Sequence, residues 1–365
     1  MTIHFYIARK FTWIFLGLLT IFFILMALIN LMEELRRFDI DEVGFASIIL
    51  LTLLKAPEGL YQLLPLIIVL STVALFVGLA RTSELVVTRA AGRSALLSLL
   101  SPTAVALLIG VFAVTTLNPV VATTSVRYDQ MSDNLRSDGL NVLSLTDEGL
   151  WLRQGGSEGQ AVIHAVRTNA DATVFYDVSI LAYYKGGGPK SRIKAKSANL
   201  IEGAWELHSV KSWPLIQGIN SEERSTEQDV MIFSSTLTPD RIRDRFGTPA
   251  AIPIWKLPKF IQDLKISGFS ARRHMVWLNM EIAQPVFLVA MVLIASAFTM
   301  RHTRFGNTGV AVLSSILLGF ALYFVRNFAQ ILGENGQIPV LLAAWAPPIA
   351  SVMLALGFLL HMEDG

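Results

Sequence analysis

The sequence predicts an α-helical membrane bundle of six transmembrane helices, three on each side of an inserted, extracytoplasmic β domain. Two groups of three apolar runs flank a polar segment, and each run can cross a ~30 Å hydrocarbon core as a helix of ~20 residues. Composition agrees: 53% of the 365 residues are hydrophobic and only 16% are charged. Mean hydropathy is +0.53, high for a water-soluble domain. Within the polar segment, apolar residues alternate with the period of strands, and turn residues separate the runs.

The first apolar run covers residues 11–32, behind Arg9 and Lys10. It is too long for a signal-peptide core and lacks a small-residue cleavage site, so it is expected as a retained helix. Residues 45–54 form a shorter apolar stretch before Lys55-Ala56-Pro57-Glu58, with the length of an interfacial segment. The second and third crossings are expected over 60–80 and 95–117, and the last three over 276–300, 308–325 and 338–360.

Basic residues in the short loops set the orientation. Arg9 and Lys10, then Arg81, Arg89 and Arg93, then Arg301 and Arg304 fall on one side. The loop 33–42 carries five acids against Arg36 and Arg37. Both termini are therefore expected in the cytoplasm and the β domain outside it.

Strand-like runs lie at 150–153, 161–166, 174–184, 192–200, 204–210 and 230–233, with turn signals such as Gly155-Gly156 and Gly186-Gly187-Gly188-Pro189. Short strands at this spacing imply a sandwich or jelly roll. Leu150, Ile163, Val174, Phe175, Ile180 and Phe233 either form its core or line a groove for acyl chains. Residues 239–245 suit a short helix, and 255–270 read as a helical connector back to the membrane.

Several function classes are disfavoured. A net charge of +2 is too small to suggest nucleic-acid binding, and the absence of cysteine removes disulfides, thiolate metal sites and a cysteine nucleophile. No G-x-x-x-x-G-K-[ST] motif occurs, and the Gly186-Gly187-Gly188-Pro189-Lys190 run suits a hairpin turn. The six histidines show neither metal-ligand spacing nor a triad, so no catalytic or metal site is expected.

The segment Arg81-Thr82-Ser83-Glu84-Leu85-Val86-Val87-Thr88-Arg89-Ala90-Ala91-Gly92 fits a short cytoplasmic helix, with Ser83 as its cap, Glu84 in the first turn and Gly92 at its end. Such a helix is either a plain connector or a docking element for a soluble partner. This loop, the three-plus-three layout, Gly149-Leu150-Trp151 and the Ser267-Gly268-Phe269-Ser270-Ala271-Arg272-Arg273 entry to the fourth crossing resemble the YjgP/YjgQ permease family, in its LptG type more than its LptF type. The resemblance covers essentially the whole chain.

That resemblance implies a non-catalytic subunit of an ABC transporter that extracts lipopolysaccharide from the outer leaflet of the bacterial inner membrane. It implies a heterodimer with an LptF-type permease and two copies of a cytoplasmic LptB-type ATPase, which bind the ATP and magnesium; this chain needs no cofactor. A periplasmic β-jellyroll, a bitopic LptC-type jellyroll protein and an LptA-type bridge complete the expected route. The domains would be 1–120 with a coupling helix near 81–92, 121–254 as the jellyroll, 255–274 as connector and 275–365. Glu84 matches the glutamate that contacts the ATPase, with Arg81, Ser83 and Arg89 around it.

For a phosphorylated lipid, cations are needed at headgroup height. Arg36 and Arg37 beyond the first crossing, and Arg127 and Arg136 beyond the third, are the candidates; the alternative is surface pairing with Glu33, Glu34 and Asp129. Some relatives resemble this chain but carry a lysine where it has Asn30, so either fewer ion contacts are made or another base substitutes. In the last three crossings, Glu281 and Arg326 are expected to form an interhelical ion pair, with lipid binding by Arg326 or snorkelling of both as alternatives. Competing functions are an intramembrane enzyme, for which the crossings offer few groups, and an assembly scaffold whose β domain only recruits partners.

Overall fold

The structure, a computed structural model, describes residues 2–38, 43–84, 95–135, 143–146, 149–156, 159–169, 173–184, 188–201, 203–215, 220–235, 248–266, 270–300 and 308–363. The chain divides into two compact units, Met1–Met131 with Pro253–Trp255 and Arg272–Gly365, and Ser132–Ile252 with Lys256–Ala271.

The first unit is a helical bundle. Its helices are α1 (Thr2–Arg37), α2 (Phe45–Arg81), α3 (Ala95–Phe112), α4 (Asn118–Leu135, running on into the second unit), α6 (Arg272–Thr299), α7 (Thr308–Glu334) and α8 (Val340–Glu363). A π-helical turn, Ala113–Leu117, joins α3 to α4. Six stretches are long and apolar enough to cross a membrane: Ile3–Arg37, Phe45–Arg81, Leu97–Ser132, Arg272–Thr299, Gly309–Glu334 and Val340–His361.

Several boundaries differ from expectation, and α1 runs from Thr2 to Arg37 where 11–32 was expected. Residues 45–54 are no separate interfacial segment but the first turns of α2, which runs through Pro57 and Pro65. An interior proline removes a backbone hydrogen bond, but Ile48, Leu51, Ala56 and Leu64 are buried here and packing holds the helix together. The third crossing continues past residue 117 through the π turn, and the fifth runs on to Glu334. Apolar run length marks where a helix lies in hydrocarbon, whereas the backbone stays helical until its polar ends find other partners.

The α6 helix is the centre of the bundle, with 72% of its most apolar window buried against 11% for α1 and α7. Phe11, Phe76, Phe287, Ile67, Leu75 and Met291 fill the core around it. Gly110 lets α3 reach α6 at backbone contact: a Cβ there would lie 2.5 Å from Pro285 Cα. Small residues permit this close approach in membranes, where dispersion contacts hold helices together. Arg272 ties the start of α6 to the end of α7, donating to the carbonyls of Gly333 (2.7 Å) and Ile338 (2.6 Å).

The described residues of the second unit hold seven strands: β1 (Leu143–Thr146), β2 (Gly149–Gly156), β3 (Gly159–Thr168), β4 (Val174–Tyr184), β5 (Pro189–Ile201), β6 (Ala204–Pro214) and β7 (Thr226–Ser234). All pair antiparallel in sequence order, so this β domain is a meander. The six expected strands are present, and β1 is additional. A 3-10 turn, Pro249–Ala251, and α5 (Leu257–Ile266) follow. Pro258 sits in the first turn of α5, where its missing N–H has no helical partner to lose. The helix expected over 239–245 lies outside the described residues.

A bend crosses this sheet. Buried residues normally recur every second position along a strand. Here they step by three in four adjacent strands: Ala165 to Thr168, Phe175 to Val178, Ala195 to Ala198 and Leu207 to Val210. Asp177 (φ 54) and Ser209 (φ 52) adopt left-handed backbone at this line, which adds a residue to the alternation and increases local twist. Because neighbouring strands take the step together, the pairing register is kept on both sides of it.

Curling follows. Laid flat, β2 and β7 would stand about 24 Å apart, five spacings of ~4.8 Å. Yet Gln154 of β2 donates to the Ser234 carbonyl at the end of β7 (3.0 Å) and accepts from Ser235 (2.9 Å) and the Trp205 indole (3.3 Å). The sheet therefore folds back on itself around Trp205 and Phe175, whose rings lie 4.9 Å apart. Leu150, Ile163, Phe175 and Ile180 are buried inside the curl, while Val174 and Phe233 are half-buried.

Candidate functional site

Around the end of α1, three helices share a polar network. Lys55 of α2 bonds Glu33 of α1 (2.9 Å) and lies 3.8 Å from Glu34. Tyr128 of α4 donates to Glu34 (2.7 Å) and accepts from Arg37 (2.9 Å). The Lys55 ammonium also sits 5.6 Å from the centre of the Tyr128 ring. Glu34 is fully buried, so its charge depends on these donors.

Of the four arginines expected at headgroup height, Arg36 and Arg127 are exposed. Arg37 donates to the Tyr128 hydroxyl, and Arg136 lies outside the described residues. Asn30 is buried. Sequence reasoning passed over Lys55 and Tyr128. Lys55 was taken as the boundary of a segment, yet it is the base that reaches the acids one turn beyond Asn30.

Deeper in the bundle, Tyr61 of α2 donates its hydroxyl to the Glu281 carboxylate of α6. Glu281 is 2% exposed, and Asn118, also 2% exposed, faces the same pair. The expected salt bridge between Glu281 and Arg326 is absent at contact distance among the described residues. Arg326 attracts Glu281 at longer range, and its guanidinium lies over the Phe287 ring, 5.0 Å from the centre. At 1.5 Å per residue Arg326 sits about 12 Å before the end of the fifth crossing and Glu281 about 13.5 Å beyond the start of the fourth, so depth does not separate them; Glu281 meets Tyr61 of α2 while Arg326 lies against the Phe287 ring. Tyr61 was missed because a single tyrosine in an apolar run carries no signal of what its hydroxyl meets.

Beside this pair is an apolar cavity of about 380 Å³ between α1, α2, α3 and α4. Phe15, Leu19, Leu60, Leu64, Ile109 and Val121 line it, and Tyr61 forms part of its wall. Such a surface accepts hydrocarbon and offers a phosphate nothing.

At the other end of α2, Ser83 (φ 60) takes the left-handed position that ends the helix, with its N–H on the Ala80 carbonyl (3.2 Å). This conformation differs from the extended one of the expected N-cap. Glu84 accepts from Thr82 (2.9 Å) and Lys10 of α1 (3.2 Å). Partial burial favours its neutral form, but the bonds from Thr82 and Lys10 outweigh that and hold the carboxyl below its usual range. Arg81 is exposed; Arg89 and the helix expected over 85–92 lie outside the described residues.

The hairpin reading of the glycine run stands on β4 and β5, which flank it and are closed by Tyr184 N–H to the Gly188 carbonyl (3.1 Å).

Comparison with known proteins places these features in a family context. A family model described as lipopolysaccharide export system permease LptF/LptG matches residues 5–361. The chain is 26% identical over 344 residues to the lipopolysaccharide export system permease protein LptG of Escherichia coli K12, covering 92% of each chain. To the LptG protein of Haemophilus influenzae it is 24% identical over 358 residues, covering 93% of each.

Proposed function

Because the chain belongs to the lipopolysaccharide export system permease LptF/LptG family, we propose that it is an inner-membrane permease subunit that extracts lipopolysaccharide and hands it to a periplasmic β-domain route. The observation that carries this is the extent of the match: it takes in both halves of the bundle and the β domain together.

The bundle suits the task chemically. A lipid with several acyl chains and phosphates needs apolar walls at chain depth and cations at headgroup height. The cavity beside Tyr61 supplies the first, and Arg36, Arg127 and the Lys55 network supply the second. The thinly buried α1 and α7 leave apolar faces for a second, LptF-type permease and for lipid. With the termini in the cytoplasm, Glu84 stands on the side where an LptB-type ATPase would dock and supply the energy from ATP and magnesium. Jellyroll partners of LptC and LptA type would receive the lipid outside.

The test is reconstitution. Co-expression with a cognate second permease and ATPase should give a complex whose proteoliposomes release lipopolysaccharide on addition of ATP. A complex that assembles and hydrolyses ATP but releases none would overturn the reading.

A further inference from the structure

The face of the sheet opposite its core carries a second feature that the bundle chemistry does not use. Strand register lines up one row of side chains across five strands: Trp151, His164, Ser179, Lys194 and Lys211 are successive partners from β2 to β6. The next row runs through Val162, Leu181, Arg192 and Trp213. Together they floor a groove of about 1110 Å³.

Its chemistry is specific. Arg192, Lys194 and Lys196 alternate along β5, about 6.7 Å apart, and so point to one side. All three are exposed and form no ion pair among the described residues. Lys194 stands directly across from Lys211, an arrangement that destabilises an antiparallel pair. Lys211 is relieved by Glu222 (2.8 Å) and Glu227 (3.4 Å), whereas Lys194 has no such acid. Asp177, which also lines the groove, faces Arg167 at 3.6 Å. A sheet that places uncompensated cations side by side is poised for an anion.

The aromatic groups narrow the choice. Trp151 is 38% exposed and lies 4.3 Å from His164, the two rings tilted by 38°, and Trp213, with the Lys211 ammonium 5.4 Å from its ring centre, closes the far side with its indole N–H held by Glu222. An exposed flat ring packs against the C–H face of a sugar, and cations beside it meet the sugar's charged substituents. We propose that this outer groove binds a phosphorylated saccharide, with Arg192 and Lys194 on phosphate and Trp151 stacked on a sugar ring. The site is argued from the sheet, and the choice of a glucosamine disaccharide as its saccharide rests on the transport reading.

The test uses the full chain in detergent micelles and a water-soluble probe, a deacylated glucosamine disaccharide bisphosphate. Binding is read by calorimetry and tryptophan fluorescence, beside the dephosphorylated disaccharide and inorganic phosphate. The bisphosphate should bind more tightly than either control. Arg192→Gln with Lys194→Gln should weaken it by about tenfold or more, the worth of one charge-assisted hydrogen bond. Trp151→Leu should weaken both sugars and leave phosphate unchanged. Equal binding by the charge variant and the parent, or equal binding of inorganic phosphate and the sugar bisphosphate, would overturn the proposal. Unchanged thermal unfolding of each variant separates loss of the site from loss of the fold. Lipid release from proteoliposomes, measured in parallel, tells a failure of this groove from a failure of the transport function.

Discussion

Tyr61 donates its hydroxyl proton to the Glu281 carboxylate across 220 positions of sequence, joining α2 to α6 inside the bundle. Burial without this bond would leave a carboxylate among apolar side chains, where water cannot solvate it. The pair is also the polar boundary of the cavity that Tyr61 helps to line.

Tyr61→Phe should therefore lower the stability of the purified protein by about 1–3 kcal/mol, the cost of a buried acceptor left without its donor. In double-mutant cycles, Glu281 should couple more strongly to Tyr61 than to Arg326, because of these two Tyr61 is the one in hydrogen-bond contact. Thermal unfolding in detergent checks both; stronger coupling to Arg326 would refute the assignment of partners.

Glu84 is held by Lys10 and Thr82, so the bond between α1 and the end of α2 competes with any docking partner for the same carboxylate. Glu84→Ala should weaken ATPase association or uncouple hydrolysis from lipid release while the permease still inserts. Lys10→Gln should remove the bond from α1 that competes for the carboxylate and strengthen association. Pull-down of the ATPase with each variant decides this; identical recovery for all three proteins would contradict it.

For the headgroup, Arg36→Glu combined with Arg127→Glu should reduce lipopolysaccharide crosslinking at this end of the bundle with assembly intact. These exposed side chains should change stability by no more than about 0.5 kcal/mol. Lys55→Met should behave differently, lowering stability because buried Glu34 loses a nearby cation. Undiminished crosslinking in the double reversal would leave the arginines without a lipid role.

The β domain carries a pH-sensitive clasp at Glu222. Bonds from Lys211 and the Trp213 indole hold its carboxyl below the usual 4.5, and the bond with Glu222 raises Lys211 above 10.5. A depressed acid contributes fully above its unfolded value and is lost as pH falls through the folded one. A raised lysine contributes fully below its unfolded value and is lost as pH rises through the folded one. The Trp213 indole N–H resonance should thus stay constant between 4.5 and 10.5 and move once pH drops below the lower limit. Glu222→Gln should abolish the acid transition; a transition that persists in that variant would assign it elsewhere.

Gly110→Val should disrupt the crossing of α3 and α6, since the first added carbon falls 2.5 Å from the Pro285 backbone. Overpacking at such a contact costs about 1–3 kcal/mol. Gly17→Val in α1, where nothing lies within 4 Å, is the matched control. Equal melting temperatures for the two variants would mean that the helices can part freely.

The six crossings, the inserted β domain and six of its seven strands were determined by local pattern alone. Runs of apolar residues and period-two alternation record what each segment must bury, and burial is the largest favourable contribution to folding. Family membership was legible too, because the loop after the second crossing and the three-plus-three layout carry the resemblance in this sequence. What only the tertiary structure decided were the partners of polar groups. Glu281 was recognisable as a charge at membrane depth, but its bond to Tyr61 depends on how α2 and α6 rotate against each other. The ends of α2, α4 and α7 lay beyond the apolar runs because backbone hydrogen bonding, not hydropathy, carries a helix past them. The curl of the sheet, and with it Gln154 between β2 and β7, follows from left-handed Asp177 and Ser209. Neither residue type announces that conformation, which is stable only because four neighbouring strands bend at the same line.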